Sequence, residues 1–145
     1  MSALVKFLLV GLLVSAGLNI YFYQNKLEEF RVKSVPDGDS LQLPDGRRVR
    51  LLGIDAPEKG RCMAEEAREK LRSLVLSKRV ILDDTVTDDY GRILANVSVG
   101  NILVNKLLVE EGLAKYSYVT SSRSDELKAA SYVAQRQKRG IYSNA

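Results

Sequence analysis

Residues 7–23 carry no charged side chain, and the run has no polar face. A helix that is apolar on every side belongs in a membrane or a large core, not on the surface of a small domain. The run sits near the short end of what crosses a bilayer, roughly 17–25 residues. Lys6 precedes it, and Lys26, Glu28, Glu29 and Arg31 follow. Tyr21-Phe22-Tyr23 suits the aromatic belt at a membrane interface. Two readings stay open. One is an uncleaved anchor. The other is a cleaved signal peptide, with Phe7 to Val14 as its apolar region and Val14-Ser15-Ala16 as small residues for cleavage. The anchor is favoured because the apolar stretch continues past Ala16 into the aromatics. The expected division is therefore 1–26 as anchor or signal with its linker, and 27–145 as one domain. Residues 24–30 read as a short linker or a helix extension.

Beyond residue 30 the pattern changes to short alternating runs. Residues 31–54 read as strands, with Asp37-Gly38 and Asp45-Gly46 as hairpin signals. In Val49-Arg50-Leu51-Leu52, a strand puts Arg50 on the face opposite Val49 and Leu51. Ala64, Ala67, Leu71, Leu74 and Val75 recur at helical spacing, which predicts an amphipathic helix over 64–76. Residues 79–87 and 92–99 predict a second hairpin around Asp88-Asp89-Tyr90-Gly91. There Ile93, Ala95, Val97 and Val99 share one face and Arg92 lies on the other. A short helix is expected over 102–111, with Gly112 at its end. Ser122-Arg123-Ser124-Asp125 resembles a capping box opening a last helix to Lys138-Arg139, where Gly140 stops it. Five short strands with interspersed helices fit a small β-barrel.

Composition narrows the chemistry. The chain of 145 residues has room for one domain and little more. Its 22 Lys+Arg against 18 Asp+Glu give a formal charge of +4. Lys6 and Lys26 precede the domain and no acid does, so residues from 27 onward carry only 20 bases against 18 acids. That balance is too mild to diagnose nucleic-acid binding, and the placement of individual arginines must carry the argument. With no histidine, His-based bases, Ser-His-Asp triads and His-ligated metals are excluded. One cysteine, Cys62, excludes an internal disulfide and reads as a spectator in a surface loop.

The chemistry-bearing residues cluster at strand ends and turns: Asp37-Gly38-Asp39, Arg50, Asp55-Ala56-Pro57-Glu58 and Asp88-Asp89-Tyr90-Gly91-Arg92. Carboxylate oxygens bind hard divalent cations such as calcium. Arginine forks grip phosphate oxygens in bidentate fashion and stay charged at any working pH. A metal site with an arginine clamp is what a phosphodiesterase needs to stabilise charge building up on phosphorus.

These segments, together with Val35-Pro36, Glu66-Ala67, Val104-Asn105 and Glu111-Gly112-Leu113-Ala114, make residues 31–142 resemble the staphylococcal nuclease family, in order and at about its spacing. The resemblance implies an α+β, mainly β fold: a five-stranded OB-fold barrel with about three helices, here preceded by the N-terminal apolar helix. It implies a calcium-dependent endonuclease acting on single-stranded or locally melted DNA and on RNA, with little sequence specificity, leaving 3′-phosphate ends. One Ca2+ would sit on Asp39, Asp55 and the backbone carbonyl of Ala56, with Asp37 in the outer shell. Glu58 would position or deprotonate the attacking water, and Arg50 and Arg92 would grip the scissile phosphate. Tyr118 and Tyr90 match family tyrosines near the nucleotide. A monomer is expected, membrane-anchored with its domain extracytoplasmic, or secreted if the N-terminal segment is cleaved.

The chain departs from the family at three places around the pocket. Asp89 replaces a usual lysine, Thr120 replaces a second tyrosine, and the segment after Glu58 is shorter. These bear on substrate affinity rather than on the catalytic set. Two rival readings are an inactive OB-fold nucleic-acid-binding module and a membrane-tethered assembly factor. The retention of Arg50, Glu58 and Arg92 argues against both.

Overall fold

The computed structural model describes residues 3–28 and 31–143. Helix α1 (Ala3–Glu28) stands apart from the core: none of its apolar window Val5–Phe22 is buried. A helix buried in the domain is thus not what this run becomes. The helix extends through most of the expected 24–30 linker. Residues 29 and 30 lie outside the described residues.

The domain is α+β, built on a curled sheet. Its strands are β1 (Ser34–Asp37), β2 (Ser40–Gln42), β3 (Arg48–Leu51), β4 (Ile54–Asp55), β5 (Ile81–Thr87), β6 (Ile93–Val99), β7 (Ile102–Leu103) and β8 (Lys115–Tyr116). The main sheet runs β1-β2-β3-β6-β5, with β7 paired to β6, and β4 pairs with β8 separately. All pairings are antiparallel except β3 with β6, where Arg50 lies opposite Leu94. The outer edges approach through a bridge between Arg31 and Arg79. Val32 N donates to Lys78 O (3.0 Å) and Ser77 N to Val32 O (3.0 Å) beside it. The curled sheet closes its inner face over the core on β2, β3 and β6. Leu41, Val49, Leu51, Ala95 and Val97 are at most 1% exposed.

Three helices cover the barrel: α2 (Ala64–Val75), α3 (Val104–Glu110) and α4 (Ser124–Arg136). The expected stripe on α2 is buried at Ala67, Leu71 and Val75. On α4, Leu127, Ala130 and Ala134 face inward.

Three expectations change. Residues 102–103 are strand β7, not helix: Gly100, in the left-handed region, and Asn101 turn the chain so that Val99 pairs with Ile102. The capping box does not form. Ser122 gives its N–H and hydroxyl to the Asp84 carboxylate (both 2.7 Å), and the helix opens two residues later, at Ser124. Finally, α4 ends at Arg136, because Lys138 (φ 52°) already leaves the helix. Gly140 instead opens a short 3-10 turn, Gly140–Tyr142, whose backbone packs on Gly112.

One buried side chain clasps the barrel beside the Gly53–Asp55 turn. Asn105 is fully buried. Its Oδ1 accepts from Val97 N (2.8 Å), and its Nδ2 donates to Leu52 O (2.9 Å) and Ala95 O (3.2 Å). Leu52 N also donates to Ala95 O, so β6, α3 and the end of β3 meet at one amide. Asn105→Ala leaves Val97 N–H and Leu52 C=O without these partners in a dry interior. At about 1–3 kcal/mol for each orphaned group, the variant is expected to lose about 2–5 kcal/mol in urea denaturation.

Candidate functional site

The site is assembled where β1 turns into β2 and where β3 runs into β4. Gly38 and Asp39 form a two-residue turn, since Asp37 lies opposite Ser40. Gly38 is there for space rather than for unusual dihedrals. A Cβ would come within 2.7 Å of the Ala67 Cβ and 2.8 Å of the Ala56 Cβ. The turn therefore beds onto α2 and brings Asp39 to the Ala56 backbone amide.

Asp39 is 5% exposed and fully engaged. Its Oδ1 accepts from Arg50 Nη1 (2.8 Å) and from the Ser40 hydroxyl (3.1 Å). Its Oδ2 accepts from Ala56 N (2.9 Å). Arg50 projects from the outer face of β3, opposite the buried Val49 and Leu51 as the alternation predicts. Its other terminal nitrogen, Nη2, donates to Asp55 Oδ1. One guanidinium thus bridges a buried carboxylate and an exposed one.

Asp37 stands on the rim in the same field. Partial burial pushes its carboxyl above the usual range, Asp39 and Glu58 push the same way, and Arg50 and Arg92 pull it down. The charges of Arg50, Arg92, Asp39 and Glu58 are all felt at this one carboxyl. Glu58 is exposed, and its carboxylate makes no hydrogen bond or ion pair with a described residue. Pro57 fixes the chain before it, and Glu58 O accepts from Arg61 N (2.9 Å).

Arg92 is held from its own turn. Asp88 Oδ1 accepts from Tyr90 N and Arg92 N (both 2.9 Å), and Oδ2 accepts from Arg92 Nε (2.8 Å). An aspartate opening a turn in this way is a common device. Here it also aims a guanidinium. Arg92 lies 5.3 Å from the Tyr90 ring centroid. Tyr90 (79% exposed) and Tyr118 (87%) are both on the surface, so neither serves the core. Cys62 is a free, exposed thiol, as expected.

Among the described residues, no group of three or more His, Cys, Asp or Glu side chains stands ready to hold a metal ion. Asp39 and Asp55 still offer hard oxygen donors within reach of a single guanidinium. That donor chemistry fits a calcium-type cation, which completes its shell with carbonyls and water.

Arg48 escaped the sequence reading. It lies two residues before Arg50 on the same outer face of β3, opposite Gln42. It is exposed and makes no ion pair with a described residue. Its signal was the same alternation that located Arg50.

The profile of the staphylococcal nuclease homologue family matches residues 48–144. The chain belongs to that family. It is 36% identical over 119 residues to an uncharacterized endonuclease of Escherichia coli, covering 79% of this chain and 77% of the relative. It is 31% identical over 128 residues to the micrococcal nuclease of Shigella flexneri (78% and 72%) and 31% over 144 residues to the thermonuclease of Staphylococcus hyicus (90% and 82%). This kinship supports endonuclease activity for the chain.

The Asp88–Arg92 contact has a pH signature. Burial pushes the Asp88 carboxyl up, but hydrogen bonds from Arg92 and Tyr90 outweigh it and hold the pKa below the usual range. A depressed carboxyl contributes stability above its unfolded value, about 3.9, and loses it as pH falls through the folded value. Asp88→Asn is expected to flatten that acid-side loss while leaving a smaller stability at neutral pH. Urea midpoints collected from neutral to strongly acid pH check this.

Proposed function

We propose that the chain is a calcium-dependent endonuclease that hydrolyses phosphodiester bonds of single-stranded or locally melted DNA and of RNA, leaving 3′-phosphate ends. The bridge from Arg50 to Asp39 and Asp55, closed by the Ala56 amide and followed by the exposed Glu58, carries this reading. Two guanidiniums with a free carboxylate between acidic oxygens suit a reaction in which charge grows on phosphorus.

Glu58 acts on the attacking water. It is exposed and has no competing partner among the described residues, so it can accept a proton or orient the nucleophile. Asp39, Asp55 and the Ala56 carbonyl would hold one Ca2+, with Asp37 orienting the shell from outside. Such an ion would supply positive charge for the phosphoryl oxygen and for activation of the water. Arg50 and Arg92 take the non-bridging oxygens of the scissile phosphate and stabilise the five-coordinate transition state. Each must exchange a carboxylate for a phosphate to do so: Arg50 leaves Asp39 and Asp55, and Arg92 leaves Asp88. Tyr90, whose ring lies 5.3 Å from Arg92, and the exposed Tyr118 offer stacking faces to bases. Backbone contacts dominate, so sequence specificity is low and affinity falls with salt.

The helix α1 serves as an uncleaved anchor, with the domain extracytoplasmic and monomeric. Its apolar window reaches Phe22, past the point where a signal peptidase would cut.

The decisive assay measures cleavage of single-stranded DNA by the purified chain with calcium and with a chelator. Glu58→Gln and Arg92→Ala are each expected to lose about 10²–10³ in kcat, by analogy with the loss of one preorganised donor, and the chelator to abolish cleavage. Calcium-independent cleavage, or wild-type rates in Glu58→Gln, would overturn the mechanism.

Arg48 gives a separate prediction. Sitting next to Arg50 on one face, it reaches a phosphate beside the scissile one. Arg48→Ala is expected to raise KM several-fold with little change in kcat. The slope of log affinity against log salt should shrink by about one.

A further inference from the structure

We propose that the end of the barrel where the chain arrives from α1 is a docking surface for anionic phospholipid headgroups. It seats the domain on the bilayer with the carboxylate–arginine site turned away. The proposal rests on the reading of α1 as an uncleaved anchor.

Four exposed bases gather there: Arg31, Lys33, Lys78 and Arg79. The backbone fixes them together. Arg31 bridges Arg79, Val32 N donates to Lys78 O (3.0 Å), and Lys33 N donates to Gln42 O (2.8 Å). None of the four makes an ion pair with a described residue. Lys78 Nζ only donates to the Ser73 carbonyl (3.1 Å). Like charges directly opposite across a β-pair are destabilising. Two arginines on the bridge that joins the sheet edges therefore point to an anion from outside the domain.

The chain's reach places this patch at a membrane surface. Six residues of α1 beyond Phe22 add about 9 Å at 1.5 Å each. The three peptide steps from Glu28 to Arg31 add at most about 11 Å. A tether of at most about 20 Å is short enough for the domain to settle with these bases within a Debye length, about 8–10 Å, of anionic headgroups. The site lies elsewhere: the chain runs extended from Arg31 through β1 to Asp37, about 20 Å at roughly 3.3 Å per residue.

The test uses the full chain in nanodiscs of phosphatidylcholine alone or mixed with phosphatidylglycerol. Amine-reactive labelling is read by mass spectrometry at Lys33 and Lys78. Lys115, exposed on β8 next to Asp55 in register, is the internal control. Labelling of Lys33 and Lys78 is expected to fall several-fold with phosphatidylglycerol and to recover in high salt, with Lys115 unchanged. Equal labelling in both lipids would overturn the docking surface while leaving the anchor intact. Failure of the chain to co-purify with the discs would overturn both. Protection of Lys33 and Lys78 by a single-stranded oligonucleotide in phosphatidylcholine discs would overturn it in favour of nucleic acid.

Discussion

The bridge from Arg50 to Asp39 and Asp55 is the interaction on which the rest of the site depends. Asp39 is almost wholly buried, and a buried carboxylate is tolerable only when its lone pairs are met. Arg50, Ser40 and the Ala56 amide meet them. The same contacts tie three separate segments: the turn after β1, the outer face of β3, and the loop that follows β4. Removing the guanidinium would leave a buried charge with neutral donors only, so Arg50 holds the site's geometry as well as serving its chemistry.

That double role explains why the barrel is built so closely around this point. Gly38 lets the turn lie against Ala67 and Ala56, and any side chain there would lift Asp39 away from its partners. Asn105 holds the backbone at Leu52, just before Gly53 and Ile54 lead into Asp55. Arg92 comes from a different hairpin and is aimed by Asp88 from within its own turn. Two locally fixed arginines are thus carried on one sheet, and the parallel pairing of β3 with β6 sets the distance between them.

Much of this was legible in the sequence, because alternation and turn chemistry are local. Arg50 between Val49 and Leu51, Ala67-Leu71-Val75 on α2, and the Asp45-Gly46 and Asp88–Gly91 turns all follow from spacing. What stayed hidden depends on long-range partners. Ser122 looks like a helix cap, but Asp84, thirty-eight residues earlier, offers a charged acceptor, and the serine goes there. Asp84 can do so because a bulge in β5 between Asp83 and Val86 puts it in the left-handed region and turns its side chain toward Asn96 and Ser122. No local pattern announces that bulge. Gly140 likewise reads as a helix stop, yet its conformation answers to Gly112, against whose carbonyl its backbone packs.

The charge arrangement also bears on the order of events at the site. Both arginines are committed to carboxylates, while Glu58 is free. A proton acceptor is therefore ready, but the phosphate clamp is not. Arg50 can leave Asp39 for a phosphate only if the buried carboxylate acquires another counter-charge, since an unpaired buried charge is costly. Arg92 faces a milder demand, because Asp88 also accepts from two backbone amides and keeps them when the guanidinium departs. On the proposed mechanism, this asymmetry would make substrate capture at Arg50 conditional on cation at Asp39 and Asp55, and capture at Arg92 largely independent of it. Phosphate binding should then be synergistic with calcium in the parent chain. The synergy should persist in Arg92→Ala and collapse in Arg50→Ala.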